Sequence, residues 1–442
     1  MSKTYTPELT PDVLRRLEDY AARFRDDFEF DRAARWAPVY LAGLIQEGER
    51  KSIEPLSRRV DLPPDLNVKD PEQALQQFVN QSPWDEQRVL KRYRAVMAET
   101  FADPAGIFVI DDTSFPKQGK HSVGVRRQYC GAPGKKANCQ VAPSVHYVSR
   151  KGHCPLAMRL YLPDSWLDDL RRLDQAEVPD EERRPLSKGQ IALELLDQVR
   201  AEGRPGQLVV ADAGYGVAED FRAGLEQREP HYIVGVIPEM VVFTAEPSWF
   251  VPPYRGRGPR PRRPRLTEQS PRPISPKELA RQTPLRKVTW REGTKGKLVG
   301  RFAWLRAWPA QGWQTGACAG AAPAWPLIEQ QADGRLKYAF SNLPEGTRRL
   351  QAVRLWKSRW PVEQGYRQMK EELGLDHFEG RSWRGFHHHA CLVMLAYGFL
   401  ALEQERMKRT RQKPGKRGDP AGDHGAGDPA GLAAVPGPDQ SA

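Results

Sequence analysis

The sequence predicts an α/β protein with a helical N-terminal region, and three observations carry that prediction. Apolar residues recur at helical spacing through the first hundred positions. Two short apolar runs, GIFVI at 106–110 and GQLVVAD at 206–212, each lead into aspartate. Around them, amphipathic stretches alternate with strand-forming ones, an order that builds a layered sheet with partly parallel strands.

The elements follow in chain order. In TPDVLRRLEDYAARFRDDF, Val13, Leu14, Leu17, Tyr20, Ala21 and Phe24 share one helical face, with Thr10 or Asp12 as cap. Further helices are expected in DRAARWAPVYLAGLIQEG, DPEQALQQFVNQ and SPWDEQRVLKRYRAVMAETF, with the Pro- and Asp-rich RRVDLPPDLNVKDP as a linker among them. From about residue 104 the pattern changes. GIFVI reads as a short buried strand that ends in Asp111 and Asp112 and a Lys- and Gly-rich loop. ANCQVAPSVHYVSR and PLAMRLYLP are rich in strand formers. LSKGQIALELLDQVRAEG is an amphipathic helix closed by Gly203. GQLVVAD is a buried strand, VAEDFRAGLEQRE a helix and HYIVGVI another strand. Residues 251–287 hold eleven Arg or Lys against two Glu and read as a mobile loop or linker, its charge compatible with nucleic acid. KVTWREG with KLVGRFAWLRAW forms one expected hairpin, and PLIEQQ with LKYAFSN a second. Helices resume over 348–406, and the Gly-, Pro- and Ala-rich tail from Lys413 is expected to be disordered.

The bulk composition narrows the function classes. The 442 residues suffice for two or three domains, with 39% hydrophobic and 28% charged residues. A formal net charge of +12 favours a polyanionic partner, nucleic acid first among them; the bland alternative is a basic, solvated surface. Five scattered cysteines form no CxxC pair, so neither a zinc knuckle nor a disulfide framework is indicated, and the odd count fits a reducing compartment. No run approaches the length of a membrane span and the N-terminus has no apolar signal core, so a cytoplasmic protein without a membrane partner is expected. No GxxxxGK[ST] or GxSxG pattern occurs, which argues against nucleotide hydrolysis and a serine nucleophile elbow.

The carboxylates carry the chemistry. Asp212 in VVADAGYG follows a buried strand as Asp111 and Asp112 do. Carboxylates at neighbouring strand ends can converge on Mg²⁺, which takes few protein oxygens and fills its shell with water and phosphate. A third acid is needed to hold two ions for in-line phosphoryl chemistry. In LWKSRWPVEQGYRQMKEELGL, Val362, Tyr366, Met369 and Leu373 form an apolar stripe, with Glu363, Arg367 and Lys370 on a neighbouring face and Pro361 in the first turn. The plain alternative for that face is a solvated helix surface. Lys117, Lys120 and His121 follow the first aspartates and suit either phosphate or solvent. Gln128 and Tyr129 suit either a DNA end or, for Tyr129, the core. The run His387-His388-His389 is assigned to packing or capping, because consecutive helical residues point in different directions.

These blocks resemble the DDE-type transposases of bacterial insertion sequences, in the group marked by a Tyr-Arg-Glu-Lys signature. Trp356, Arg359, Glu363 and Lys370 fit its spacing, with Trp in place of the initial Tyr. IDDTSFPKQGKHSVGVRRQYCGAPGKKANCQVA and VVADAGYG resemble the first two acid-bearing blocks, and the likeness extends over roughly 1–405. The resemblance implies an RNase H-like catalytic fold with a β-rich insertion between the second and third acids. Its implied catalytic and metal-binding residues are Asp112, Asp212 and Glu363, Asp112 being chosen over Asp111 because it precedes Thr. Two Mg²⁺ ions, with Mn²⁺ as a substitute, are the implied cofactors. Trp356, Arg359 and Lys370, with Lys117 and Lys120 from the loop, are the expected substrate-binding residues.

The expected organisation is a helical region over 1–100 that binds the DNA end and a first core segment over 101–245. The β-rich insertion with its Arg/Pro loop follows over 246–345, then the C-terminal catalytic helices over 346–405 and the tail over 406–442. The implied function is a transposase that cleaves phosphodiester bonds at mobile-element ends and joins them to target DNA, as a homodimer on paired terminal inverted repeats. Two alternatives stay open: an inactive remnant that binds DNA, and a metal-dependent nuclease without strand transfer.

Overall fold

The computed structural model describes residues 8–412, apart from 65, 67, 132, 207, 257–258 and 294–295; the tail expected to be disordered lies outside them. The chain divides into two compact units. The first runs to Gly206 and resumes at Trp360; the second is Gln207–Arg359.

The first unit opens with α1 (Pro11–Ala22), α2 (Asp31–Ile45), α3 (Ile53–Ser57), α4 (Pro71–Asn80) and α5 (Glu86–Phe101). Strands β1 (Ile107–Pro116), β2 (Arg126–Cys130), β3 (Lys135–Val148) and β4 (His153–Met158) follow, then α6 (Asp164–Leu167), α7 (Leu170–Gln175) and α8 (Lys188–Ala201). The second unit begins with β5 (Leu208–Ala211), α9 (Ala213–Gly216), α10 (Glu219–Gln227) and β6 (His231–Val236). It continues through the two-residue strands β7 (Val242–Phe243), β8 (Trp249–Phe250) and β9 (Arg265–Leu266) and helix α11 (Pro276–Gln282). Strands β10 (Arg286–Gly293), β11 (Gly296–Trp304), β12 (Trp308–Pro309), β13 (Leu327–Gln330) and β14 (Leu336–Ser341) lead to α12 (Arg349–Lys357). Back in the first unit, α13 (Trp360–Arg367) runs into a π-helical stretch, Gln368–Glu372, and then α14 (Trp383–Gln412).

In the first unit, β3 is the central strand. One edge pairs antiparallel with all of β1, from Ile107 opposite Val148 to Pro116 opposite Cys139. The other edge takes β2 and β4, also antiparallel. Thus β1 does not end at Ile110, as the sequence suggested: it continues through both aspartates because β3 supplies a partner for every residue to Pro116. The core is built around α14, where Leu392, Val393, Leu395 and Ala396 are buried. Helices α2, α4 and α5 pack against α14. The stretch Trp383–Thr410 has the length and apolarity of a membrane span, yet 89% of its most apolar 18-residue window is buried inside the fold, as in the core helix of a globular unit. The N-terminal helices therefore form part of the same compact unit as β1–β4, and the Arg94 guanidinium, 1% exposed, ties α5 to Glu202 just past α8 with bonds of 2.8 and 2.5 Å.

In the second unit, β5 and β6 are parallel, and β6 continues antiparallel through β14, β13, β11 and β10. Both expected hairpins, β10–β11 and β13–β14, are present. They extend the β5–β6 sheet rather than standing apart from it. The segment expected to be a mobile linker is partly folded: Ile274 bridges Val242, Ser275 caps α11, and Leu279 is buried with Met240, Ala303 and Phe340. The apolar residues at its C-terminal end, outnumbered in composition by arginines, are enough to anchor it.

Candidate active site

Side chains alternate across a strand, so the β1–β3 register decides where each aspartate faces. Directly opposed residues share a face: Asp111 lies opposite Ser144, and Asp112 opposite Pro143. The Ser144 hydroxyl is hydrogen-bonded to the Tyr366 phenol of α13, so the Asp111 face is the one α13 covers. The opposite face carries Asp112, whose Oδ2 accepts from the Lys188 ammonium at 2.6 Å. Lys188 is placed by a capping box at the start of α8: the Ser187 hydroxyl accepts from the Gln190 N–H, and the Gln190 amide oxygen accepts from the Ser187 N–H at 2.8 Å. The register thus puts Asp112, the expected ligand, on the face of β1 away from α13. Asp111 is half-buried, and its Oδ1 accepts the Asp112 N–H at 2.9 Å.

Glu363 sits in the first turn of α13 and is exposed. The apolar stripe Val362, Tyr366, Met369 and Leu373 is buried as its spacing predicted. Tyr366 and Lys370 are three and seven residues beyond Glu363, close to its side of the helix. Lys370 donates to the Ser114 carbonyl at 2.7 Å and lies 5.3 Å from the Phe115 ring centre, and burial lowers its pKa. Close approach of α13 to the sheet requires Gly365, because a Cβ there would overlap the His153 imidazole.

Beneath α13 runs a buried polar chain. The Tyr397 hydroxyl lies 2.8 Å from His153 Nδ1, His153 Nε2 lies 3.1 Å from His146 Nδ1, and His146 Nε2 lies 2.9 Å from Ser144 Oγ. Burial holds His153 at about 3 and His146 well below its ordinary value, so both rings are neutral. A single direction satisfies every member: Tyr397 donates to His153, His153 to His146, His146 to Ser144, and Ser144 to the Asp111 carbonyl at 3.4 Å. Tyr366 donates into the second lone pair of Ser144. No local sequence signal joins these residues; they meet only through the β3–β4 pairing and the return of the chain in α13 and α14.

In the second unit, Asp212 ends β5 as expected, is half-buried, and caps α9 by accepting the Gly214 N–H at 2.9 Å. Gly235 on β6 permits that turn: a Cβ there would stand 2.6 Å from the Ala213 nitrogen. The signature straddles the unit boundary, with Trp356 and Arg359 in the second unit and Glu363 and Lys370 in the first. Trp356, expected at the substrate, is 7% exposed and donates its indole N–H to Glu329 at 2.9 Å. Glu329 also pairs with Lys357. The Arg359 guanidinium lies 5.7 Å from the Trp356 ring centre. Lys117 is drawn inward, donating to the Phe378 carbonyl at 2.6 Å, and burial lowers its pKa; Lys120 is exposed.

The histidine run, expected to pack, is buried. His387 bonds the Trp383 carbonyl and His389 the Gly374 carbonyl, each at 2.9 Å. His388 stacks on Trp84 with ring centres 3.7 Å apart. Within either unit, among the described residues, no three His, Cys, Asp or Glu side chains are grouped closely enough to hold a metal. As donors, Asp111, Asp212 and Glu363 fit a hard divalent cation, being carboxylates. Asp112 fits less well, because an ammonium occupies the cation position beside its Oδ2.

Residues 23–297 match the sequence family described as DDE superfamily endonuclease, a segment that includes Asp111, Asp112 and Asp212 and ends before Glu363. The chain is 25% identical over 231 residues to the probable transposase for insertion sequence element IS701 of Microchaete diplosiphon. That alignment covers 52% of this chain and 56% of the relative's length, so the chain spans about half of the curated relative it matches. With more than half of its length matched, the chain belongs to the DDE superfamily endonuclease family.

Proposed function

We propose that this protein is a transposase that cuts DNA at the ends of a mobile element and joins them to target DNA, with Asp111, Asp212 and Glu363 as its catalytic carboxylates. The family match across 23–297 carries the reading, and the likeness to an insertion-sequence transposase supports the substrate class. Asp111 replaces the expected Asp112 because it shares its face of β1 with α13, whereas Asp112 is bound to Lys188.

The three carboxylates would hold Mg²⁺, or Mn²⁺ in its place. Two such ions supply activation of a water and stabilisation of the leaving oxygen in an in-line displacement. The chain's own residues then position and neutralise. Lys370, desolvated and fixed on the Ser114 carbonyl, and Arg359 neutralise the phosphate oxygens. Lys120 extends the grip along the backbone, and Lys117 buttresses the same loop. Cleavage frees a 3′-OH, which attacks a second phosphodiester in the joining step. No covalent enzyme intermediate is required. The fold supporting this chemistry is RNase H-like, with the β10–β14 region as the insertion, the N-terminal helices and the Arg/Pro segment as DNA-end contacts, and two copies on paired ends.

One observation favours the alternative of a non-cutting DNA-binding protein: the first signature position is a tryptophan already engaged by Glu329. The test is cleavage of a labelled duplex carrying the element's own end, with Mg²⁺ or Mn²⁺, for wild type, Asp111→Asn, Asp212→Asn and Glu363→Gln. Cutting and joining by the wild type alone is the expected result. Cutting without joining indicates a nuclease. Binding without cutting in any metal sinks the catalytic reading.

A further inference from the structure

We propose that the outer face of the β2–β3 hairpin is a DNA-binding wing, in which Arg127 and Lys136 grip the backbone and Tyr129 stacks on an unpaired base. The inference rests on the reading above for the identity of the polyanion, but its residues lie outside the proposed catalytic set.

The hairpin projects beyond the end of β1, whose last pair is Pro116 opposite Cys139. Past that point the Lys117 N–H still donates to the Asn138 carbonyl at 2.9 Å, and β2 and β3 pair with each other, Arg127 opposite Asn138 and Tyr129 opposite Lys136. These four residues share one face. Strand alternation from Lys136 through Asn138 and Gln140 to Ser144 places it on the same side of the sheet as Asp111. Asn138 joins this face to the preceding loop, donating to the carbonyls of Lys117 and Gly119, each at 2.7 Å, so that Lys120 belongs to the same surface.

The charge is one-sided. Between Asp112 and Asp164 the sequence has nine Lys or Arg and no Asp or Glu. Cations on an edge strand also serve to prevent sheet-to-sheet association, which would account for Arg127 and Lys136 alone. That role does not account for Tyr129, which is 66% exposed between them. An exposed ring flanked by cations is the arrangement that holds single-stranded nucleic acid, through stacking and backbone neutralisation together. Eight residues of β3 separate Lys136 from Ser144, so Tyr129 stands about 26 Å from Asp111 along the strand. At 3.4 Å per base pair, it meets DNA about eight pairs from the bond to be cut.

The test is binding in Ca²⁺ buffer, without cutting, to a fluorescein-labelled random-sequence duplex and to the same duplex with an unpaired bubble. Wild type should favour the bubble. Tyr129→Ala should lose about fivefold or more on the bubble and change little on the duplex, while Tyr129→Trp retains the preference and shows that the hairpin still folds. Arg127→Ala with Lys136→Ala should lower the slope of log affinity against log salt by about two on both probes. An undiminished bubble preference in Tyr129→Ala, an unchanged slope in the double variant, or no DNA binding by wild type overturns the proposal. If the variants behave as expected but wild type cuts nothing in Mg²⁺ or Mn²⁺, the catalytic reading fails and the wing stands.

Discussion

Asp111 and Asp112 are chemically identical neighbours, and only the face of β1 separates them. Asp111→Asn should lower cleavage by about 10²–10³-fold, the usual loss when one preorganised charge leaves an active site. Asp112→Asn should cost less than about tenfold, through a freed Lys188. The reverse order in a metal-dependent cleavage assay would mean that α13 does not carry the catalytic face. The buried histidines predict a pH dependence of stability. His153 is held at about 3, and His387 and His389 at about 4, by burial. All three lie below the 6.5 of a free imidazole, so the unfolded chain takes up protons that the folded chain refuses. Their stabilisation is complete above about pH 6.5 and is lost as pH falls toward 4, by up to about 1.4 kcal/mol per pH unit for each histidine. Thermal melts should therefore fall steeply between about pH 6.5 and 4.5, and His153→Gln should flatten part of that slope. A melting temperature constant across this range would show that these imidazoles already carry a proton in the fold.

At the scale of the element, what was legible in the sequence was local. Spacing placed the α13 stripe, the α8 helix and both hairpins of the second unit. It missed the length of β1, because two consecutive aspartates before a Lys- and Gly-rich loop read as the end of the apolar strand until β3 is known to pair opposite them. It missed Lys188, 76 residues from its partner, and the destination of Trp356, whose partner Glu329 lies on another strand. The likeness to a known family selected Asp112 from its place before Thr, whereas the face each aspartate occupies depends on register, which is a long-range property. Gly365 tests the orientation of α13 directly. In an exposed helix, Gly→Ala stabilises by about 1 kcal/mol. Here the methyl group would strike His153, and lifting α13 from β4 should cost about 1–3 kcal/mol instead. Cleavage should drop at least about tenfold, the factor that 1.4 kcal/mol of displaced transition-state stabilisation represents, while DNA binding is retained. A stabilised, fully active Gly365→Ala protein would mean that α13 does not rest on His153.

At the scale of the whole molecule, the charge is segregated rather than spread. The stretch between Asp112 and Asp164 contributes nine net positive charges, and residues 251–287, with eleven cations and two Glu, contribute nine more. Each lies in a different compact unit. Together they exceed the formal +12 of the chain, so the remaining residues are net acidic. A basic surface kept only for solubility has no reason to be built this way. A surface that follows a phosphate backbone does, because affinity then comes from releasing the counterions condensed on DNA. Binding of any duplex should therefore weaken steeply with salt. With roughly 6–10 phosphate contacts, affinity should fall about 10³–10⁵-fold between about 50 and 200 mM salt. Replacing the arginines of 260–265 with glutamine should shallow that dependence and leave the melting temperature nearly unchanged, since these side chains are exposed and anchor no core. The measurement is a salt titration of duplex binding by anisotropy. A dependence as shallow as one or two contacts in the unmodified protein would mean that the segregated charge does not lie along DNA.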